Sequence, residues 1–495
     1  MNLKIAVIAD LHYSEELNPL IPERRGDYAD IFLLRAVHRI NRFIKPDLVL
    51  ILGDLIDDPL NEKALDYLRH LKNITDLLKM PVLAIPGNHD PAPAKFYTVF
   101  PEAPALFDIN GYRVMTFLDK EEPGYNASRS PEDIRKMEAN SRNFKGGIIS
   151  AQHVPLFPPG ANDCPYNYTN SDEIISLMKK NNIFLSISGH YHTGFDIMSS
   201  DELNFTAAPA FCETPFKFME IILDGKKINS KYHFLKMPEE YSLTDYHVHT
   251  SMAYCSENIT MKKAVELGKL FGLEKLVFSE HSGHLYFDNK NYGSDDFCNE
   301  GIRSRNLTPR IEDYFASYRK LNSGMTYLGI EIDYDFKGYP IIKPEDLKSV
   351  QMAIGAIHYL PELRKPVPDM EKAADEFLFI SEKILRSGVK ILAHPFRVFI
   401  RSGQKTPGCL FEKLSDMLKE YGVSPEINYH TNNPEVDFFR LCLNKGLKLA
   451  LGSDSHNLYE VGEFAPHLEF LNTCGITGNP KEILLRPEEA FYKKQ

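Results

Sequence analysis

The chain has 495 residues, 43% of them hydrophobic and 25% charged, with a net charge of −11 at neutral pH. At ~150 residues per domain this length predicts two to four domains, and the composition excludes a wholly disordered chain. The acidic balance repels polyanions, so long DNA or RNA is a poor partner. Small phosphate esters stay open, because divalent cations reverse the charge locally.

Seven cysteines stand singly, at Cys164, Cys212, Cys255, Cys298, Cys409, Cys442 and Cys474. The number is odd and no pair has zinc-site spacing, so no disulfide framework is implied. Apolar runs are strand-sized, which gives no transmembrane helix and no membrane partner. The first residues lead straight into a strand, leaving no room for a signal peptide, and the expected location is the cytoplasm.

Histidine placement carries the information. Lys4–Ala9 reads as a buried strand that ends in Asp10-Leu11-His12. Helix-patterned stretches at Ile31–Phe43 and Glu62–Leu78 alternate with strands Asp47–Leu52, leading to Gly53-Asp54, and Pro81–Ile85, leading to Gly87-Asn88-His89-Asp90. Gly147–Ser150 precedes His153, and Ile183–Ile187 precedes Gly189-His190-Tyr191-His192. Continuous apolar runs suit strands buried on both faces, and in such β/α alternation ligands collect beyond the carboxyl ends of strands. Carboxylate, imidazole and amide oxygen suit Mn, Fe or Zn. Two ions ~3.5–4 Å apart need a shared carboxylate, and Asp54 is the natural bridge.

This motif series resembles the calcineurin-like metallophosphoesterases over about 230 residues. The resemblance implies an α/β sandwich with two divalent metals, one on Asp10, His12, Asp54 and His192, the other on Asp54, Asn88, His153 and His190. His89 would protonate the leaving group or stabilise the transition state, and Asp90 would orient it. Where the family often carries His-His-Pro, this sequence reads Gln152-His153-Val154-Pro155. His38, His70 and His233 lack motif context and read as packing or surface residues. Asp57 and Asp58 read as a solvated turn, the alternative being a shell around the ligands, and the polar segment Lys120–Lys145 as a solvated helix and loop, the alternative being a cap over the substrate.

Lys217–Leu223, Asp224-Gly225 and the run through Phe234 read as a hairpin. The expected domains are 1–235 and 243–495, joined by a short charged linker at 236–242. In the second half, strand-like runs recur at Leu243–His249, Lys275–His281, Thr326–Asp333, Met352–His358, Val389–His394, Val423–Tyr429 and Leu447–Asp454. Nearly all deliver polar residues at their ends, as a β/α barrel does. Asp245-Tyr246-His247-Val248-His249, Ser279-Glu280-His281, Glu331, His358, Ala393-His394-Pro395 and Ser453-Asp454-Ser455-His456 resemble the PHP (polymerase and histidinol phosphatase) superfamily, nearest its histidinol-phosphatase-like members.

That resemblance implies a distorted (β/α)7 barrel with two to three divalent metals, again Mn, Fe or Zn. His247, His249, Glu331 and Asp454 would hold the first; Glu331, His358 and His394 the second; His281 and His456 the third. The family places Asp or His shortly after His-x-His-Thr; here the segment reads Ser251 to Glu257, and Glu257 is the candidate ligand, the alternative being a surface glutamate with a weak or absent third metal, while Cys255 reads as packing or as approaching the site. Arg397 is the candidate for the outer phosphate oxygens, with His284 and His430 beside the site.

The resulting expectation is a metal-dependent phosphoesterase with two hydrolytic sites. A diester step in the first domain and a monoester step in the second could act in sequence on a small nucleotide or cyclic nucleotide. The alternatives are one working site with the other regulatory or structural, a nuclease or DNA-repair accessory, and a non-catalytic metal-binding scaffold. Net charge and the lack of a basic, aromatic-interleaved stripe weigh against the nuclease.

Overall fold

A computed structural model describes residues 2–118 and 120–491. The outermost ends of the two expected domains, Met1 and residues 492–495, lie outside the described residues. The chain divides into two units, Met1–Lys236 and Met237–Gln495.

The first unit carries two main sheets. One runs in the order Lys227–Phe234, Lys217–Asp224, Asn2–Ile8, Leu48–Leu52, Val82–Ile85. The other runs Phe195–Ser200, Leu203–Ala207, Ile183–Ser188, Gly147–Ala151, Tyr112–Thr116, Phe107–Ile109. Val7, Leu50 and Ile85 of the first sheet share one buried cluster with Val114, Ile149 and Leu185 of the second. The sheets therefore pack face to face, and both sides of the central strands are covered. That is why Leu48–Leu52 reads as an unbroken Leu-Val-Leu-Ile-Leu run. The helices Ala29–Arg39 and Ala64–Thr75 match the two patterned stretches. Four strands carried no apolar run. In Tyr112–Thr116 the charge of Arg113 interrupts the pattern, and Asp108 pairs with it at 2.7 Å. Phe195–Ser200 is a half-exposed edge.

The second unit is built on seven strands hydrogen-bonded in chain order: Thr244–Val248, Lys275–His281, Thr326–Ile332, Ile354–Gly355, Ile391–Leu392, Ser424–Asn428 and Ala450–Gly452. Every neighbouring pair is parallel. A parallel bridge between Val248 and Ser455 joins the last strand end to the first, so the sheet curls into a nearly closed barrel. Asp245 reinforces that closure. Its buried carboxylate accepts Ser453 N–H at 3.0 Å, Ser453 Oγ–H at 2.6 Å and Gly462 N–H at 3.0 Å. Two of the strands, Ile354–Gly355 and Ile391–Leu392, are only two residues long, and His358 and His394 follow shortly after them. Among the described residues no helix is long and apolar enough to cross a membrane.

Candidate functional site

In the first unit the polar residues lie just past the carboxyl ends of five strands. Getting them there takes backbone strain. Asp10, His12, Asp54 and His190 all have positive φ, between 46° and 62°. Such a conformation costs about 1–3 kcal/mol per residue and persists only where surroundings enforce it. Here they do: His190 N–H donates to Asp10 Oδ2 at 2.9 Å, and His89 N–H to Asp54 Oδ1 at 2.8 Å. Gly87 is required by close approach, since a Cβ there would stand 2.2 Å from Asp54 Oδ1.

Asp54 occupies the centre. Its Oδ2 lies 3.7 Å from His12 Nε2 and 3.5 Å from His153 Nε2. On one side His12 and His192 bring Nε2 atoms within 3.2 Å, with Asp10 Oδ1 3.7 Å from His192. On the other, His153 Nε2 lies 3.0 Å from Asn88 Oδ1 and 3.2 Å from His190 Nδ1. All seven residues proposed from sequence as ligands thus converge. Partners outside the set fix the rings: Leu52 carbonyl at 2.7 Å from His153 Nδ1, and Glu213 at 2.6 Å from His192 Nδ1. Neither Glu213 nor Arg24, which donates to Asp57 at 2.9 Å beside His12, carried a sequence signal.

Electrostatics suit cations. Burial drives His12 toward the neutral form and His190 down to about 4. Burial also raises Asp10 to about 6. For Asp54 burial is outweighed by His153 and His12, which hold it ionised well below the usual carboxylate range. His12 and His190, held neutral beside an ionised Asp54, are in the ligand forms a metal requires, while burial, which would lower His192, is outweighed by Glu213 and Asp10, which push it up. Asp10 Oδ1 is buried with no hydrogen-bond partner, as a ligand oxygen would be.

Three expectations need correction. Asp90 does not touch the His89 ring. Its carboxylate accepts backbone N–H groups of Leu55 (2.9 Å), Ile56 (3.2 Å) and Gly87 (2.9 Å), while His89 Nδ1 lies 2.7 Å from the Asp57 carbonyl. Asp57 is therefore part of the site and not only a solvated turn. Gln152, which stands beside His153, faces the interior: Arg129, Ser150 and Ser186 bind its amide. Arg129 itself is buried against Phe117, so the 120–145 segment is not wholly solvated. A cavity of about 200 Å³ opens beside Asn88, His153 and His190. His70 and His233 pair with Asp30 and Glu220, away from this centre.

The second unit gathers its polar residues around Glu331. This carboxylate lies 2.5 Å from His281, 2.9 Å from His394, 3.3 Å from His358, 3.5 Å from His247 and 3.8 Å from His249. Asp454 lies 2.9 Å from His249 and 3.5 Å from His247. Burial, which would raise Glu331, is overcome by His281, His247 and His358, and the group stays well below the carboxylate range. Burial holds His281, His394 and His456 well below the usual imidazole value. His247 Nε2 has no hydrogen-bond partner. His394 and Asp454 again carry positive φ, 30° and 53°. Three further carboxylates orient these rings: Glu426 on His247 (2.8 Å), Glu280 on His249 (3.2 Å) and Asp333 on His358 (2.5 Å). Glu426 carried no clear signal, since its strand reads Ser-Pro-Glu-Ile-Asn, with polar residues at both ends.

Glu257 departs from expectation. It is exposed and accepts Asn457 Nδ2 at 2.6 Å, away from His281. Arg397 lines the cavity of about 260 Å³ at this centre, but its guanidinium is spent on the donors. It donates to Asp454 and stands 2.9 Å from His358 Nε2 and 2.7 Å from His394 Nε2. A buried cation among unpaired acids takes the nearest carboxylate. His284 and His430 flank the site, their rings 4.4 Å from His281 and 4.5 Å from His456.

Residues 3–194 match the family model described as calcineurin-like phosphoesterase. A curated relative, the probable cyclic nucleotide phosphodiesterase XBJ1_0953 of Xenorhabdus bovienii, is 25% identical over 202 residues, covering 39% of this chain and 79% of that protein. Among solved structures, a dimetal phosphatase from Danio rerio is 16% identical, with a TM-score of 0.39, covering 47% of this chain and 98% of the other. The purple acid phosphatase PPD1 from yellow lupin (Lupinus luteus) is 11% identical, with a TM-score of 0.33, covering 47% and 52%. The N-terminal unit thus contains a calcineurin-like phosphoesterase domain. The protein is a metal-dependent phosphoester hydrolase.

Proposed function

We propose that the protein carries two hydrolytic centres, a phosphodiesterase in the first unit and a PHP-like phosphomonoesterase in the second, acting in turn on a small nucleotide diester or cyclic nucleotide. One observation carries this reading: each unit has its own buried carboxylate, Asp54 or Glu331, surrounded by imidazoles at strand ends. Unpaired, such groups are costly; cations repay them.

In the first unit Asp10, His12, Asp54 and His192 would hold one ion, and Asp54, Asn88, His153 and His190 the other. In the second, His247, His249, Glu331 and Asp454 would hold one, and Glu331, His358 and His394 another. When bound, such ions neutralise phosphoryl oxygens and lower the pKa of water. The chain supplies the proton. With Nδ1 against the Asp57 carbonyl, His89 presents Nε2 as its reactive nitrogen. The name of the Xenorhabdus relative supports a small cyclic nucleotide as the class of substrate.

The test uses manganese-loaded protein and bis-p-nitrophenyl phosphate. Wild type is expected to approach one phosphate for every two nitrophenols. Asp454→Asn should release nitrophenol without phosphate. Asp54→Asn should lose diester cleavage by ~100-fold or more, yet still hydrolyse p-nitrophenyl phosphate. Identical products from the two variants would sink the two-step reading.

A second reading keeps turnover in the first unit alone and makes the other centre structural. The Arg397 contacts with His358 and His394 favour it. It requires that Asp454→Asn leave all turnover intact.

A further inference from the structure

Taking the second unit's centre as read above, we infer that its third metal position is a zinc site completed by a thiolate, Cys255, together with His281 and His456. The sequence pattern pointed to Glu257 for that place, but the chain folds differently. Glu257 N–H donates to the His456 carbonyl at 3.0 Å and its carboxylate turns out to Asn457. Those two bonds fasten the 251–258 loop to the end of the last strand. Cys255, two residues earlier, then stands with Sγ 3.8 Å from His281 Nε2.

Ring chemistry marks the place as a cation position. His456 Nδ1 lies 2.7 Å from the Asp454 carbonyl, which only accepts, so this nitrogen carries the proton and Nε2 a lone pair. His281 Nδ1 lies 2.5 Å from Glu331 but without hydrogen-bond geometry, and its Nε2 is the nitrogen turned toward His456 and Cys255. These two Nε2 atoms face each other at 3.4 Å, both on side chains more than nine-tenths buried. His456 thus offers a lone pair toward His281 Nε2, at a separation that a shared cation would span.

Spacing agrees with tetrahedral zinc. Bonds of ~2.0–2.1 Å to nitrogen and ~2.3 Å to sulfur place two nitrogens about 3.3 Å apart and a nitrogen and sulfur about 3.6 Å apart. The observed separations are 3.4 and 3.8 Å. His284 forms a compact group with Cys255 and His281, as His456 does with His249 and His281, but His284 Nδ1 accepts Tyr254 N–H at 3.3 Å, which puts its proton on Nε2 and makes it a neighbour of the ion. Three protein ligands leave the fourth position to water or substrate, and Cys255 lies at the open cavity. A soft thiolate selects zinc over manganese, so this position would differ from the carboxylate-and-imidazole ones beside it.

The full-length chain, stripped by chelation and refilled with cobalt(II), reports on the thiolate directly. Wild type is expected to show a near-ultraviolet thiolate-to-cobalt charge-transfer band that Cys255→Ser lacks. Zinc-loaded Cys255→Ser should hold about one zinc fewer per chain, and Cys255→His should restore the metal without the band. In wild type, zinc should slow alkylation of Cys255, followed by mass spectrometry, by ~10-fold or more. A band that survives in Cys255→Ser, or an alkylation rate indifferent to zinc, overturns the inference. Glu331→Gln separates this from the wider reading. If that variant keeps its full metal content and its phosphate release, the hydrolytic centre itself is wrong. If it loses both while Cys255→Ser matches wild type, only the thiolate site falls.

Discussion

His89 and Asp90 are adjacent and do different work. His89 has its ring fixed by the Asp57 carbonyl, so His89→Gln should cut diester turnover by ~10²–10⁴-fold with metal content, read by elemental analysis, unchanged. Asp90 satisfies three backbone N–H groups on the loops that carry Asp54 and Asn88. Asp90→Ala should therefore cost about 3 kcal/mol in denaturant unfolding and lose metal, an outcome that a mere orienter of His89 would not give. Gly87→Ala should act similarly, since its Cβ would collide with Asp54 Oδ1. Residue types and spacing alone singled out the candidate donors that gather around Asp54 and Glu331, because metal ligands are carboxylate, imidazole or amide. Spacing did not reveal which carboxylate points where. Asp90, Glu257 and Arg397 all took partners set by loops that meet only in three dimensions.

At the scale of elements, two polar contacts hold sheets together. The Lys217–Phe234 hairpin pairs with Asn2–Ile8, and within it Glu220 lies 2.6 Å from His233. Burial opposes the charge on Glu220, but the bond to His233 and the charge of Lys231 prevail and lower its pKa. A lowered carboxyl pKa gives stability that is present above the unfolded pKa and lost as pH falls through the folded one. Urea unfolding should thus find wild type about 1–2 kcal/mol more stable than Glu220→Gln at neutral pH, with the gap closing below pH ~4. In the second unit, Asp245→Ala should cost about 3 kcal/mol by stranding the Ser453 and Gly462 donors that close the barrel. The apolar strands were legible because burial on both faces leaves a continuous hydrophobic run. Tyr112–Thr116 and Phe195–Ser200 were not, because an ion pair or a sheet edge breaks the pattern.

For the whole molecule, buried carboxylates and imidazoles in both units tie stability to cations. Chelation is expected to lower the thermal midpoint, and Mn or Zn to restore it by several degrees, by at least the ~3 kcal/mol that ligand at 100 times its Kd contributes. A midpoint indifferent to chelator would mean the clusters are satisfied internally. The sequence by itself determined the alternation of strands and helices and the order of the candidate ligand motifs, since periodicity and residue type are local properties. Only the tertiary structure decided that Val248 meets Ser455, that Glu426, Glu280 and Glu213 orient the imidazoles, and that Cys255 rather than Glu257 faces His281. Those outcomes depend on how distant strand ends and loops approach one another, which no local pattern encodes.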